Sequence, residues 1–238
     1  MMSNDNNYYG YAPESSSRSL TSFIQRVYVW MMSGLVITAL TAHSLYVNQT
    51  IFLTLFSSKW VFIGLVFAQL ALVGSLAIFI QKLSYAASVG IYLLYSALVG
   101  ITMAPIFFVY KEQSICLVFA ITAGMFATMA IYGYFTNTDL SKMGSLLLMA
   151  LFGIIIASLV NLYFQSAGFD LIISYIGVLI FTGLIAYDMQ KIKHIFQNGL
   201  GRDGSENKIA IVCALTLYLD FINLFVFLLR ILGQRRRD

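Results

Sequence analysis

The sequence predicts an all-α membrane protein that crosses the bilayer seven times. Of its 238 residues, 60% are hydrophobic and only 10% are charged, whereas soluble domains carry about 25% charged residues. Seven stretches are long and apolar enough to span a bilayer, which requires roughly 20 such residues. Only two prolines are present to interrupt them. Each span is expected to be helical, because a lone strand in lipid would leave its backbone groups unpaired.

We assign the spans to residues 27–47, 60–80, 84–109, 114–135, 143–164, 171–187 and 209–229. Pro105 lies in the third span and is expected to kink or end that helix. The short apolar piece at 51–56 is expected to form an interfacial turn, and the long connection is the one at 188–208. Gly153 and Ala157 have the spacing that allows close helix packing.

Polar segments flank the predicted seven-helix domain, residues 23–234. Residues 1–22 are low in aliphatic side chains and lack the apolar core of a signal peptide, so they are expected to form a disordered tail. Residues 235–238 form a short basic tail. Cys116 and Cys213 lie in apolar spans, where small packing residues are more common than disulfide partners or metal ligands.

The net charge of +4 does not indicate nucleic-acid binding, because no basic stripe is interleaved with aromatic residues. Basic residues beside membrane spans normally set orientation, and counted over the loops alone they favour a cytoplasmic N-terminus. The arginines at 235–237 oppose this bias. They leave two topologies open: seven full crossings, which we favour, or a last segment that folds back to the cytoplasm.

Asp220 is an acidic residue inside the seventh span, within ALTLYLDFINLFVFLL. It lies about 17 Å along that helix, near the membrane midplane. A carboxylate there costs about 2.5–3.5 kcal/mol on insertion scales, so it requires a partner, a water-filled cavity or a proton. Helical spacing places Thr216 and Asn223 on the same face, and Asn223 can hydrogen-bond the acid in either charge state. A functional role is favoured over a neutral aspartate that only packs helices.

Asp188 ends the sixth span, in GLIAYDMQKIK, with Gln190 just behind it. It is roughly 27 Å beyond Asp170 along a helix, so it could simply mark where the helix reaches water. However, an acid near a helix C-terminus opposes the macrodipole, and cations such as Lys191 and Lys193 are preferred there. The residues alone leave both interpretations of Asp188 open.

Asp188 and Asp220 could form one site if their helices are adjacent. Two carboxyl groups in one low-dielectric pocket cannot readily both be ionised, so such a pair holds a proton, releases it as the pH rises and then attracts a cation. Oxygen-rich, doubly negative sites suit Ca²⁺. Arg26, at the start of the first span, is interpreted either as a snorkelling interface anchor or as the partner of a buried acid.

Four segments carry a resemblance to a known family. They are YSALVGITMAPIF (95–107), YGYFTNTDLSKMGSLLLMALFGIIIASLVN (132–161), GVLIFTGLIAYDMQKI (177–192) and ALTLYLDFINLFVFLLRILG (214–233). Together they resemble the Bax inhibitor-1 family of transmembrane Bax inhibitor motif proteins, specifically its bacterial branch. The resemblance covers about residues 20–234. It implies a seven-helix fold in which the last helix is central and the other six wrap it.

The resemblance also implies a pH-dependent calcium leak in a bacterial inner membrane, controlled by an aspartate pair that corresponds to Asp188 and Asp220. Calcium is the implied transported or bound ion, and no other cofactor is expected. The family's basic latch residue on helix two is not apparent, which leaves Arg26 and Lys82 as candidate substitutes. Simple counting puts the two acids at different depths. Their meeting requires helix six to continue beyond Tyr187 or helix seven to start deeper.

Some bacterial members of the family resemble modulators of membrane-bound proteases. The alternative function is therefore a non-conducting protein that binds a membrane protease or acts in a stress or cell-death pathway. An enzyme is not expected. In intramembrane aspartyl proteases the second acid follows a Gly-x-Gly, whereas Tyr218 and Leu219 precede Asp220. A retinal-type pump is disfavoured because the seventh span has no lysine for a Schiff base.

Overall fold

The computed structural model describes residues 13–199 and 205–236, with side chains described from residue 20 onward. Its helices are α1 (Pro13–Val47), α2 (Gln49–Phe56), α3 (Lys59–Phe79), α4 (Tyr85–Met103), α5 (Pro105–Val109), α6 (Glu112–Phe135), α7 (Ser141–Phe164), α8 (Ala167–Gln197) and α9 (Glu206–Leu232). Within the described ranges, seven segments are long and apolar enough to cross a membrane, and α4 with α5 forms one of them. The predicted all-α, seven-span fold is confirmed.

Helix α9 lies at the centre of the bundle, as the resemblance implied. It packs against α1, α4, α6 and α8. Of its most apolar 18-residue stretch, 67% is buried, compared with 6% for α3 and 11% for α7. Helix α3 packs mainly on α4, and α7 mainly on α8. These two peripheral helices present large apolar side chains to the bilayer.

Contacts between chain ends and loops define the two ends of the bundle. At the end where α1 enters the membrane, which we call the N-terminal side, Arg26 pairs with Glu206 at the start of α9. At the opposite end, the C-terminal side, Arg236 pairs with Glu112 at the start of α6. Helix α9 therefore runs the full length of the bundle, and Arg235 and Arg236 lie on the C-terminal side, opposite the start of α1. Of the two topologies left open, this arrangement of the helix ends fits the seven full crossings.

The sixth span is longer than predicted. Helix α8 continues to Gln197 rather than ending at residue 187, because no glycine or proline occurs between these positions to stop it. The connection to α9 is correspondingly shorter than the predicted 188–208. The last turns of α8 are polar, so they extend beyond the apolar stretch that defined the span.

Other boundaries also differ from the prediction. The third span is interrupted as expected, since α4 ends at Met103 and α5 begins at Pro105. Residues 51–56 belong to the short helix α2 rather than to a turn. The predicted tail of residues 1–22 overlaps α1 from Pro13 onward. Residues 1–12 lie outside the described residues, as do residues 237 and 238 of the predicted basic tail.

Close helix approach depends on other glycines than the one predicted. A Cβ added at Gly153 would meet no described atom within 4 Å, so this glycine does not serve helix packing. A Cβ at Gly100 would instead lie 2.7 Å from the Thr38 carbonyl oxygen. The missing side chain at Gly100 therefore allows α4 to contact the α1 backbone.

Candidate functional site

A cavity of about 650 Å³ lies between α7 and α9, and α8 forms its third wall. Its α7 wall is mostly aliphatic, from Leu148 to Leu162. Apart from Ser158 of α7, the polar lining comes from the other two helices. It consists of Asp188 and Lys191 on α8 and of Thr216, Asp220 and Asn223 on α9. We call this space the aspartate cavity.

The structure brings Asp188 and Asp220 together in this cavity. Both side chains line it, and the two residues are only 8% and 5% exposed. Two carboxyl groups in one low-dielectric pocket cannot readily both be ionised. The arrangement is therefore that of two buried acids lining one cavity.

The extension of α8 removes the apparent difference in depth between the two acids. Asp188 lies about 14 Å before the end of α8, and Asp220 lies about 21 Å after the start of α9. Both of these helix ends are on the N-terminal side, so the continuation of α8 moves Asp188 away from the membrane surface and towards the depth of Asp220. Of the two conditions for their meeting, the continuation of helix six beyond Tyr187 is the one observed.

Asp220 keeps one oxygen without a partner. Its Oδ2 is buried and accepts no hydrogen bond from any described residue. The neighbouring Asn223 donates its Nδ2 to the Leu219 carbonyl at 2.8 Å, which leaves its amide oxygen for the cavity. Thr216 likewise donates its hydroxyl to the Val212 carbonyl at 3.2 Å. Oxygen acceptors thus line the cavity next to an unsatisfied carboxylate oxygen.

This donor set fits a hard cation only in part. Ca²⁺ takes six to eight oxygen ligands from carboxylates, amides and water, and the pair with Asn223 and Thr216 supplies fewer. In the part of the chain that the structure describes, no group of three or more His, Cys, Asp or Glu side chains is gathered for a metal ion. A cation in the aspartate cavity would therefore retain much of its water.

Lys191 and Tyr187 are cavity residues that sequence reasoning missed. Lys191 lines the cavity together with Asp188, and its Nζ is 5.9 Å from the centroid of the Tyr187 ring. Tyr187 packs over Gly144 of α7, where an added Cβ would overlap the ring. The sequence contained a signal for Lys191: in an unbroken helix its +3 spacing places it on the Asp188 face.

Arg26, predicted as a supporting residue, lies away from the acid pair. It pairs with Glu206 and donates to the Asn207 Oδ1 at 2.7 Å, at the start of α9. This position is about 21 Å along the helix from Asp220, so the interpretation as an interface anchor is the one that fits. Neither Arg26 nor Lys82 lines the aspartate cavity, and among the described residues the cation that does is Lys191.

Gln190 also has a different role from the one predicted. Its Oε1 accepts the Leu140 backbone N–H at 2.9 Å, and its Nε2 donates to the Thr138 carbonyl at 2.8 Å. These two bonds fasten the α6–α7 loop to α8. Thr216 and Asn223, the other predicted supporting residues, do line the aspartate cavity.

The family profile described as inhibitor of apoptosis-promoting Bax1 matches residues 20–237. The chain belongs to this family. As a Bax inhibitor-1 family protein it is 48% identical to the inner membrane protein YbhL of Escherichia coli strain K12, over 91% of this chain and 93% of YbhL. An uncharacterized protein of Borreliella burgdorferi is 48% identical with the same coverage. A Deinococcus radiodurans protein is 39% identical over 90% of this chain and 91% of its own length.

Proposed function

We propose that this Bax inhibitor-1 family protein is a pH-sensitive calcium leak channel in which the Asp188–Asp220 pair controls cation occupancy of the aspartate cavity. The observation that carries the proposal is the buried pair itself, with an unpartnered oxygen on Asp220. Beside it is a cavity of about 650 Å³. At about 30 Å³ per water molecule, such a space holds on the order of 20 waters.

The proton on the pair sets the charge of the site. With one proton shared, the pair carries one negative charge, which Lys191 balances. When the proton leaves, the pair carries two, and the cavity becomes net negative and attracts a cation. The other titratable groups beside the pair are Tyr187 of α8 and Cys213 of α9, while the described α7 lining carries no charge. Cation binding is therefore expected to strengthen as the pH rises.

A purely structural pair is a weaker explanation of the same geometry. A carboxylate at membrane depth costs about 2.5–3.5 kcal/mol on insertion scales, and buried polar atoms normally have partners. Asp220 Oδ2 has none among the described residues. A site that receives a cation and water accounts for both the acid and its unpartnered oxygen.

We propose that the channel lies in a bacterial inner membrane, with its N-terminal side facing the cytoplasm. The positive bias of the loops supports this orientation, and the E. coli relative is named as an inner membrane protein. The protein is proposed to catalyse no reaction.

The test is Ca²⁺ flux and Ca²⁺ binding by the purified protein in liposomes, between about pH 6 and about pH 8. The wild type is expected to show flux that depends on pH and binding that strengthens with pH. Asp188→Asn and Asp220→Asn should each remove both dependences. Glu112→Gln is the matched control, because it removes an acid that lies outside the cavity, and it should leave both unchanged. A retained pH dependence in Asp220→Asn would overturn the proposal.

Absence of both flux and binding in the wild type would instead favour the non-conducting alternative. A modulator of a membrane protease or of a stress or cell-death pathway should yield a stable partner in crosslinking. Its activity should also survive replacement of both aspartates by asparagine.

A further inference from the structure

Two further cavities adjoin the aspartate cavity, one at each end. On the N-terminal side a polar cavity of about 530 Å³ lies between the α6–α7 loop and the last turns of α8, and it shares Tyr187 and Lys191 with the aspartate cavity. On the C-terminal side a cavity of about 370 Å³ lies at the α7–α8 turn and shares Ser158 and Leu162 with it. The three cavities therefore follow one another in series.

We propose that these three cavities form one membrane-crossing path for small hydrated cations, with the aspartate pair in the middle. Tyr187 and Lys191 form the constriction on the N-terminal side, and the Asp170–Arg230 ion pair closes the mouth on the C-terminal side. This inference rests on the proposed function and adds the route and its two gates.

The series is long enough to cross a bilayer. The N-terminal-side cavity reaches Ser141 at the start of α7, and the C-terminal-side cavity reaches Gln165 just after its end. Along a helix this interval measures about 36 Å, whereas the hydrocarbon core is about 30 Å thick. The three cavities together therefore cover a helix length greater than the hydrocarbon thickness.

The location of the path follows from how α9 is packed. Helices α1, α4, α6 and α8 pack against α9, whereas α7 packs mainly on α8. The side of α9 that faces α7 carries the polar stripe of Thr216, Asp220 and Asn223. Polar groups at this depth are costly in lipid, so a hydrated space explains their position better than hydrocarbon would.

The N-terminal-side entrance combines fixed charges with a narrow point. Asp139 lines it, and hydrogen bonds from Ser141 hold the pKa of the Asp139 carboxyl below its usual range, so this group stays negative. Lys193 and His194 line the same cavity. The Lys193 ammonium donates to the Tyr134 carbonyl at 2.9 Å, which directs its charge towards α6. Beyond this entrance, the Tyr187 ring and the Lys191 ammonium separate the entrance from the aspartate cavity.

The C-terminal-side mouth is crossed by a partly exposed ion pair. Arg230 Nη1 lies 3.0 Å from Asp170 Oδ1 and joins the end of α9 to the start of α8. The guanidinium also lies 5.7 Å from the ring centroid of Phe227, which lines the aspartate cavity. Partly exposed ion pairs contribute little to stability. Breaking this pair should therefore open the mouth without unfolding the protein.

Cysteine accessibility tests the route independently of its ion selectivity. In a Cys116→Ser, Cys213→Ala background that retains wild-type flux, Ser158→Cys and Asn223→Cys should react with a charged, membrane-impermeant thiol reagent. Reaction at position 158 should also block Ca²⁺ flux. Ile156→Cys is the matched control, because Ile156 is 62% exposed on α7 yet lines none of the three cavities. In hydrocarbon, the Ile156→Cys thiol should stay unmodified.

The ion-pair gate has its own test. Arg230→Gln should increase the rate of Ser158→Cys modification from the C-terminal side several-fold, because the mouth of the path loses its closure. Arg236→Gln is the control on the same side, since it breaks the Arg236–Glu112 pair outside the path, and the rate should not change. Equal rates in the two variants would overturn the gate.

The outcomes separate the route from the proposed function. If Ser158→Cys is no more reactive than Ile156→Cys while the wild type shows pH-dependent Ca²⁺ flux, the route is overturned and the proposed function stands. If Ser158→Cys reacts but the wild type conducts no Ca²⁺, the cation role of the path is overturned together with the proposed function.

Discussion

Helix α9 carries two buried polar residues, two positions apart, in opposite surroundings. Towards α1 and α4, the Tyr218 hydroxyl lies 2.6 Å from the Thr38 hydroxyl, which in turn donates to the Ser96 carbonyl at 2.9 Å. Towards the aspartate cavity, Asp220 keeps a buried oxygen that has no partner among the described residues. We call the Tyr218 side of α9 the closed face, because its buried hydroxyl groups have hydrogen-bond partners. We call the Asp220 side the open face, because a buried oxygen there lacks a partner among the described residues.

The difference shows how burial alone fails to identify a functional residue. Tyr218 is fully buried and Asp220 is nearly so. The tyrosine is neutral, and its hydrogen bonds are completed within the protein, which is the usual condition of a buried polar group. The aspartate can ionise, and its surroundings leave an oxygen to be filled from outside. The incomplete partnering of Asp220, beside a cavity, is what makes it a candidate site residue.

On the closed face, we expect the largest loss of stability from a substitution at Gly100, where α4 packs on α1. In Gly100→Ala the new Cβ would lie 2.7 Å from the Thr38 carbonyl oxygen and from the Thr41 Cβ. The α1 backbone cannot yield without disturbing the Thr38–Tyr218 bond. We expect the free energy of unfolding to fall by about 1–3 kcal/mol. Thermal unfolding of the purified protein in detergent measures this loss.

Gly153→Ala is the matched control for Gly100→Ala. It makes the same substitution in a membrane helix, but its Cβ meets no described atom within 4 Å. Alanine should therefore leave the stability unchanged or raise it by about 0.5–1 kcal/mol, since glycine is the poorer helix former. An equal loss in both variants would show that helix propensity, rather than packing of the closed face, causes the effect.

The open face should respond to a change of charge at Lys191. Lys191→Gln removes the cation that lines the cavity together with Asp188, so the ionised cavity gains one unit of net negative charge. We expect Ca²⁺ to bind about tenfold more tightly, which corresponds to about 1.4 kcal/mol. Calorimetric Ca²⁺ titration at one fixed pH measures this change.

Lys193→Gln controls for the loss of a nearby lysine. Its ammonium is held by the Tyr134 carbonyl at 2.9 Å, and it does not line the aspartate cavity. Ca²⁺ affinity should change little in this variant. An unchanged or weaker affinity in Lys191→Gln would contradict the charge balance proposed for the open face.

The sequence was most informative where lipid imposes a rule. Hydropathy was sufficient for the seven spans, and the cost of a mid-membrane carboxylate singled out Asp220 with Thr216 and Asn223 on its face. The end of α8 was not predictable in this way, because hydropathy reports contact with lipid rather than helicity. The last turns of α8 are helical but polar. This error left the depths of the two acids unmatched and placed Lys191 in a loop.

Long-range pairing was the second limit of the sequence. Arg26 and Glu206 are far apart in the chain, and nothing local indicates that their ends meet on the N-terminal side. Gln190 likewise bonds to backbone groups of the α6–α7 loop, which no periodicity describes. The central position of α9 and the pairing of Asp188 with Asp220 were expected from the family resemblance rather than from the residues alone.

The smallest expected effect comes from removing one hydroxyl on the closed face. Tyr218→Phe deletes the bond to Thr38, but Thr38 keeps its bond to the Ser96 carbonyl, so no described buried donor is left unpaired. Hydrogen bonds between membrane helices average about 0.6 kcal/mol, with a maximum near 1.7. We expect a loss of this size in thermal unfolding and an unchanged pH dependence of Ca²⁺ binding. If Tyr218→Phe altered that dependence as strongly as Asp220→Asn, the two faces of α9 would act as one unit, and the distinction between them would fail.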